Sequence, residues 1–155
     1  MSEIPRARLY AEHQPAAAYA VLHPVAARPD KTWPADGFRA VASHLKQSLD
    51  LEPIFIGGTA DNLARFHPWR VIEGAPLSAI KSLLQSAMLF IGNDSGPAHM
   101  AAAFGVPSVV IFGASDPAIW GPWRTPSEVL TDRGGISAIS IEHVWQALTR
   151  LRVAA

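Results

Sequence analysis

The sequence predicts an α/β fold built on a parallel sheet of about six strands, with helices packed against its faces. Three observations lead there. Short apolar runs such as Met88 to Ile91 and Val109 to Phe112 are bounded by glycine or proline and show no polar alternation, which marks strands buried on both faces. Between the runs lie segments with apolar residues three and four positions apart, the spacing of helices that cover a sheet. The two kinds of segment alternate along the chain, so neighbouring strands are expected to run parallel through right-handed crossovers.

Taken in order, residues 1–18 are charged and then rich in proline and alanine, without sustained periodicity, and read as a linker or frayed arm. Residues 19–153 are expected to form one domain. Tyr19 to His23 is the first strand, stopped by Pro24. The loop Pro24 to Pro34 carries small residues and Lys31 beside Trp33-Pro34. Lys31 reads either as a solvated loop cation or, at the carboxyl end of a first strand, as part of a ligand rim. Phe38, Val41, Ala42, Leu45 and Leu49 form one helical stripe, which leaves His44 and Lys46 on the wet side.

Glu52 to Gly57 is the second strand, and Gly57-Gly58-Thr59 makes a tight turn, a candidate ligand loop, into a short helix ending at Phe66. Val71-Ile72 marks the third strand. Leu77, Ile80, Leu83 and Leu84 give the next helix its apolar stripe. Gly113 to Pro126 is a long segment rich in proline and tryptophan, in which Asp116, Trp120 and Arg124 are candidates to line a pocket, the alternative being that the tryptophans cap the core. Glu128 to Thr131 is the last strand, and Ser140 caps a final helix with Ile141, Val144, Trp145, Leu148 and Leu151 on one face.

The most informative stretch is Met88 to Gly113. An alanine-rich helix from Pro97 to Phe104 follows a strand and is opened by Asn93-Asp94-Ser95-Gly96-Pro97. Asp94 or Ser95 suits the N-cap, Pro97 suits the first turn, and Gly105 and Pro107 end the helix. A helix N-terminus at the carboxyl end of a parallel strand is where open sheets hold anions. Gly96 lets a ligand approach the backbone and Ser95 adds a hydroxyl, so both are assigned to phosphate. Asp94 is too negative to face phosphate and is assigned to hydroxyls of an attached group or to capping. His99, one turn on, either points to the same mouth or packs among the alanines.

Composition narrows the partners. Thirteen basic side chains balance thirteen acidic ones in 155 residues, so no general attraction to nucleic acid or anionic membrane is expected, and affinity for phosphate has to come from local geometry. Cysteine is absent, which excludes disulfides, thiolate metal sites and a cysteine nucleophile. No apolar run reaches membrane-spanning length and the first twenty residues lack a signal-peptide core, so the chain reads as cytosolic.

The run Gly92 to Ala103, followed by Gly105-Val106-Pro107, Phe112-Gly113, Asp116-Pro117 and Trp120-Gly121-Pro122, resembles the carboxyl half of glycosyltransferase family 9, the heptosyltransferases of lipopolysaccharide core synthesis. His23-Pro24 and Lys31-Thr32-Trp33-Pro34 match the motif that precedes it, and the resemblance covers Tyr19 to Val153. It implies a Rossmann-like three-layer domain, the second of the two in a GT-B enzyme, with the acceptor-binding domain missing. The chain is therefore expected to be a piece of a longer protein. The site it implies places Lys31, Ser95 and Gly96 on the donor diphosphate, Asp94 on the sugar hydroxyls and His99 in support of that loop.

By the same resemblance the reaction is an inverting transfer from an ADP-heptose-like donor without metal or cofactor. The general base is an aspartate of the missing domain, so this chain should bind donor without turning it over efficiently. Its expected partners are the nucleotide sugar, the acceptor domain and, through that domain, the lipopolysaccharide core, with no nucleic acid. The full-length enzyme is expected in the cytoplasm, peripheral at the inner membrane. The sequence departs from the family in having Ala26 and Ala27 where hydroxyls or glycine are common, and Leu63 near a position often held by a ribose-contacting glutamate. Asp61 is the substitute on that loop, Gly58 is assigned to substrate binding beside it, and the base pocket is expected around Gly74 to Leu77. Other readings are a hexosyltransferase or epimerase of the same architecture, and a non-catalytic α/β binding module.

Overall fold

The computed structural model describes residues 18–25, 32–59, 61–93, 95–112, 127–132 and 135–151. Six strands form one sheet: β1 (Tyr19–His23), β2 (Glu52–Gly57), β3 (Arg70–Glu73), β4 (Leu89–Asn93), β5 (Ser108–Ile111) and β6 (Ser127–Leu130). Their order is β3-β2-β1-β4-β5-β6 and every neighbouring pair is parallel. The helices are α1 (Ala35–Ser48), α2 (Leu77–Gln85), α3 (Gly96–Ala103) and α4 (Ile141–Leu151). Lys31, Asp94, Ala26, Ala27, Asp116, Trp120, Arg124 and the amino-terminal arm through residue 17 lie outside the described residues.

Alternation along each strand divides the core into two halves. Ala20 and Leu22 of β1, Phe55 of β2, Leu89 and Ile91 of β4, and Val109 and Ile111 of β5 belong to one cluster, which α1 and α4 cover with Phe38, Val41, Leu45, Val144 and Leu148. Tyr19, Val21, Ile54, Ile56, Phe90 and Val110 belong to the other, covered by Leu83 and Leu84 of α2 and Ala98 and Ala101 of α3. Burial on both faces is why these strands lack polar alternation, and it yields the three-layer arrangement. The Tyr19 hydroxyl donates to the Leu83 carbonyl of α2 at 2.7 Å.

The elements follow the sequence pattern with local corrections. Helix α1 starts at Ala35, ahead of the first apolar stripe residue Phe38, because the Pro34 carbonyl accepts from Gly37 and Phe38 N–H and nucleates an earlier turn. The short helix after β2 is a single 3-10 turn, Ala64–Phe66. Strand β4 starts one residue late and runs on through Gly92 and Asn93, since Met88 stands 44% exposed while Asn93 is fully buried. Strands β5 and β6 each begin one residue earlier than expected. His44 does not sit on a wet face: its ring stacks on Trp145 of α4 at 4.1 Å and 19°, closing the seam between α1 and α4.

Ser140 caps α4 as expected. Its hydroxyl accepts the His143 N–H at 3.2 Å, and His143 Nδ1 accepts the Ser140 N–H at 3.0 Å, a reciprocal cap in which histidine replaces the usual glutamate. Among the described residues no helix is long and apolar enough to cross a membrane.

Candidate functional site

The strand order reverses direction between β1 and β4, and in open parallel sheets the crevice beyond the carboxyl ends of the strands at such a reversal is where ligands bind. His23 ends β1 in register with Gly92 of β4. A Cβ on Gly92 would stand 2.7 Å from the Phe90 ring and 3.1 Å from the His23 carbonyl, so glycine is what lets the two strand ends close up here. Beyond them opens a cavity of about 320 Å³. His23, Ile56, Gly57 and Gly58 form its floor from the ends of β1 and β2. Ala75, Leu77 and Ile80 form one wall from α2 and the turn before it, and Pro97 and Met100 of α3 form the other.

The small side chains of α3 explain how its N-terminus reaches this cavity. Ala98 and Ala101 are buried against the sheet, so the helix axis lies close to β4 and its first turn stands at the strand's end. Ser95 occupies the N-cap, which settles the choice between Asp94 and Ser95 for that position. Its hydroxyl nevertheless makes no bond to the helix and lies 3.1 Å from His23 Nδ1. A serine in this position ordinarily satisfies a first-turn N–H. Here Ser95 offers the first turn no hydroxyl, and among the described residues nothing lies within 4 Å of where a Gly96 Cβ would stand. The first turn of α3 therefore combines accessible backbone with the positive end of the helix dipole.

The opposite rim is braced by backbone. Gly58 N–H donates to Asp61 Oδ2 at 2.7 Å and Asp61 N–H donates to the Gly58 carbonyl at 3.1 Å, closing the loop after β2 on itself. Gly74 N–H donates to the Gly57 carbonyl at 2.9 Å, which joins that loop to the turn after β3. Gly74 has φ +66°, and a Cβ there would fall 2.3 Å from Thr59 Cγ2, so both conformation and space demand glycine. Leu63 is buried in the core beneath Gly57 and does not face the cavity.

The cavity is mostly apolar and its one described titratable wall group is His23. Burial pushes the His23 imidazole down to about 4, a shift that the Asp61 carboxylate opposes, so the ring is neutral at physiological pH. Among the described residues no group of three or more metal-ligating side chains converges. Of the sequence-predicted residues, Gly58 lines the cavity, and Ser95, Gly96 and Asp61 adjoin its lining: Ser95 meets His23, Gly96 precedes Pro97 and Asp61 bonds Gly58, whereas His99 is exposed on α3 and is not a lining residue. Lys31 and Asp94 fall outside the described residues. Sequence reasoning overlooked His23 as a member of the site. The available signal was its place at the end of a first strand, immediately before Pro24.

A parallel sheet in this order, with a cavity at its reversal and a helix N-terminus on one wall, defines a Rossmann-like α/β domain. The profile of glycosyltransferase family 9 (heptosyltransferase) matches residues 3–135, and the chain belongs to that family. It is 35% identical over 115 residues to lipopolysaccharide heptosyltransferase 3 of Escherichia coli K12, covering 68% of this chain and 33% of that one. The structure of the glycosyl transferase family 9 protein from Veillonella parvula superposes with a TM-score of 0.81 at 27% identity, over 96% of this chain and 50% of that one. The fold also matches E. coli heptosyltransferase WaaC with ADP, at a TM-score of 0.78 and 24% identity, over 92% of this chain and 47% of that one. The chain thus spans about a third to a half of the relatives it matches.

Proposed function

We propose that this chain forms the donor-binding half of a lipopolysaccharide-core heptosyltransferase, holding a nucleoside diphosphate sugar at the reversal of its sheet, with ADP-heptose the favoured donor. The observation that carries the reading is the first turn of α3, whose N-cap hydroxyl is turned away from the helix and which opens beside an apolar cavity. Two negative phosphates suit the one wall and a flat nucleoside suits the other. Leu77, 59% exposed at the rim, is an apolar surface that a base would cover. Two related structures, WaaC with ADP and WaaC with ADP-2-deoxy-2-fluoro heptose, carry ligands of this chemistry on those proteins.

In this reading the diphosphate lies on Ser95 and Gly96 with Lys31 as the cation, Asp94 takes sugar hydroxyls, and His99 supports the loop. Gly58 and Asp61 shape the rim nearer the ribose. Transfer proceeds with inversion: an acceptor hydroxyl, deprotonated by a base on the partner domain, attacks the anomeric carbon while the nucleoside diphosphate leaves. The helix N-terminus stabilises the charge that grows on the leaving phosphate. Because acceptor and base belong to the other domain, the chain alone binds donor without efficient turnover.

Calorimetric titration with ADP, GDP and UDP tests this. Binding of ADP that weakens in Lys31→Ala and Gly96→Val supports it. Absence of binding to all three, or binding indifferent to both substitutions, refutes it. Preference for UDP moves the chain to a hexosyltransferase-like or epimerase-like donor.

A further inference from the structure

His23 and Ser95 meet across 72 positions of sequence, at adjacent strand ends, with Nδ1 and Oγ 3.1 Å apart. Ser95 has the extended backbone of an N-cap (φ −167°, ψ 171°), from which its hydroxyl would ordinarily accept a bond from its own helix. The hydroxyl is given to the ring instead. A hydroxyl has one proton and two lone pairs, and a neutral imidazole has one N–H, so the contact exists in two forms. In the first, Ser95 donates to a bare Nδ1 and presents only lone pairs to its surroundings. In the second, Nδ1–H donates to Oγ and the Ser95 proton is released to a third group.

Those forms are not equivalent in front of an anion. Gly96, next in the chain, has no described residue within 4 Å of where its Cβ would stand, and its N–H begins the first turn of α3. An anionic oxygen seated there repels a hydroxyl that shows lone pairs and is bonded by one that shows its proton. The ring cannot satisfy both demands by taking a second proton, because burial keeps it neutral at physiological pH, and Asp61 is the charged group described as acting on it. We infer that His23 is a positioning residue for the diphosphate: as its Nδ1–H tautomer it turns the Ser95 hydroxyl outward, adding a side-chain donor beside the backbone of α3.

This rests on the donor-nucleotide reading above, and it assigns a role to a residue that reading leaves idle. A second consequence is that ligand binding and ring tautomer are linked. Free imidazole can favour either nitrogen, but the bound state selects one, so the ring reports occupancy of a site it need not touch.

The test is ¹⁵N NMR of the histidine ring nitrogens in the intact chain, without and with saturating ADP, together with ADP affinities of three variants. The expected spectrum in the bound state shows His23 protonated on Nδ1 and bare on Nε2. His23→Ala and Ser95→Ala are each expected to weaken ADP about tenfold, with no further loss in the double variant, since they remove one charge-assisted bond. His23→Asn, whose amide N–H can occupy the place of Nδ1–H, is expected to recover most of the affinity. Tight ADP binding with the proton on Nε2 overturns the inference and leaves the nucleotide site standing, as does unchanged affinity in His23→Ala. Failure of the unmodified chain to bind ADP, GDP or UDP overturns both.

Discussion

The Oδ1 atom of Asn93, at the end of β4, accepts the backbone N–H of Trp33 at 3.0 Å across sixty positions of sequence. Trp33 in turn donates from Nε1 to the Ile139 carbonyl at 2.9 Å and packs edge-on against Phe38, with ring centroids 5.2 Å apart. One buried side chain therefore joins the segment after β1, the end of β4 and the approach to α4. Trp33, just ahead of α1, and the end of β4 that leads into Ser95 are held in mutual position by this wedge.

Asn93→Ala is accordingly expected to do more than trim a polar group. It leaves the Trp33 N–H buried without its acceptor, and the loss should be about 1–3 kcal/mol in urea denaturation. Asn93 Nδ2 is itself buried and has no partner among the described residues, so its removal costs no bond there. A stability change near zero would show that water readily replaces the Asn93 oxygen.

Two glycine substitutions separate scaffold from site. A Cβ on Gly37 would press within 2.7 Å of the Trp33 ring, so Gly37→Ala should destabilise by about 1–3 kcal/mol through overpacking. Gly96→Ala meets nothing within 4 Å among the described residues and should shift stability by less than about 0.5 kcal/mol. Thermal unfolding of both variants checks the contrast, and at the same site position the bulkier Gly96→Val is expected to weaken ADP binding.

His23 gives stability a pH dependence with a definite sign. Burial lowers its pKa in the folded chain to about 4 from 6.5, so the unfolded chain takes up the proton first as pH falls. The neutral-ring contribution is whole above pH 6.5, declines through the interval down to 4 and is spent below it, a change of about 3 kcal/mol at most. Urea denaturation between pH 4 and 7 should show this slope in the unmodified chain and a shallower one in His23→Asn. Equal slopes would place the proton elsewhere.

The rim opposite α3 depends on Asp61. Asp61→Ala removes the acceptor of the Gly58 N–H, an exposed bond worth about 0.5–1.5 kcal/mol. Hydrogen exchange at the Gly58 amide should quicken accordingly while the amides of β1 and β4 keep their protection. Spread of the effect into those strands would mean that the loop is part of the core's cooperative unit.

The layers of this fold were legible because the inner strands β1, β2, β4 and β5 are buried on both faces: Val21 and Phe90 face one cluster, and Leu22 and Ile91 face the other, leaving uninterrupted apolar runs. The first turn of α3 was legible from Ser95-Gly96-Pro97 for equally local reasons. The contacts that shape the site are of a different kind. His23 with Ser95, Trp33 with Asn93 and His44 with Trp145 join residues far apart in sequence, and none carries a spacing that a periodicity could register. The 3-10 turn at Ala64–Phe66 is too short to show any period, and the sequence that offers Ser95 for the N-cap it occupies does not show that its hydroxyl meets His23 rather than the helix.

The most direct test of where the ligand sits is an amide ¹⁵N–¹H shift map of the chain titrated with ADP. The largest perturbations are expected at Ser95, Gly96 and Ala98 of the α3 turn, with a second group at Gly58 and Ala75 across the cavity. Saturable ADP binding that moves amides only on the outer faces of α1 and α4, leaving Gly96 unchanged, would contradict a diphosphate site at the reversal of this sheet.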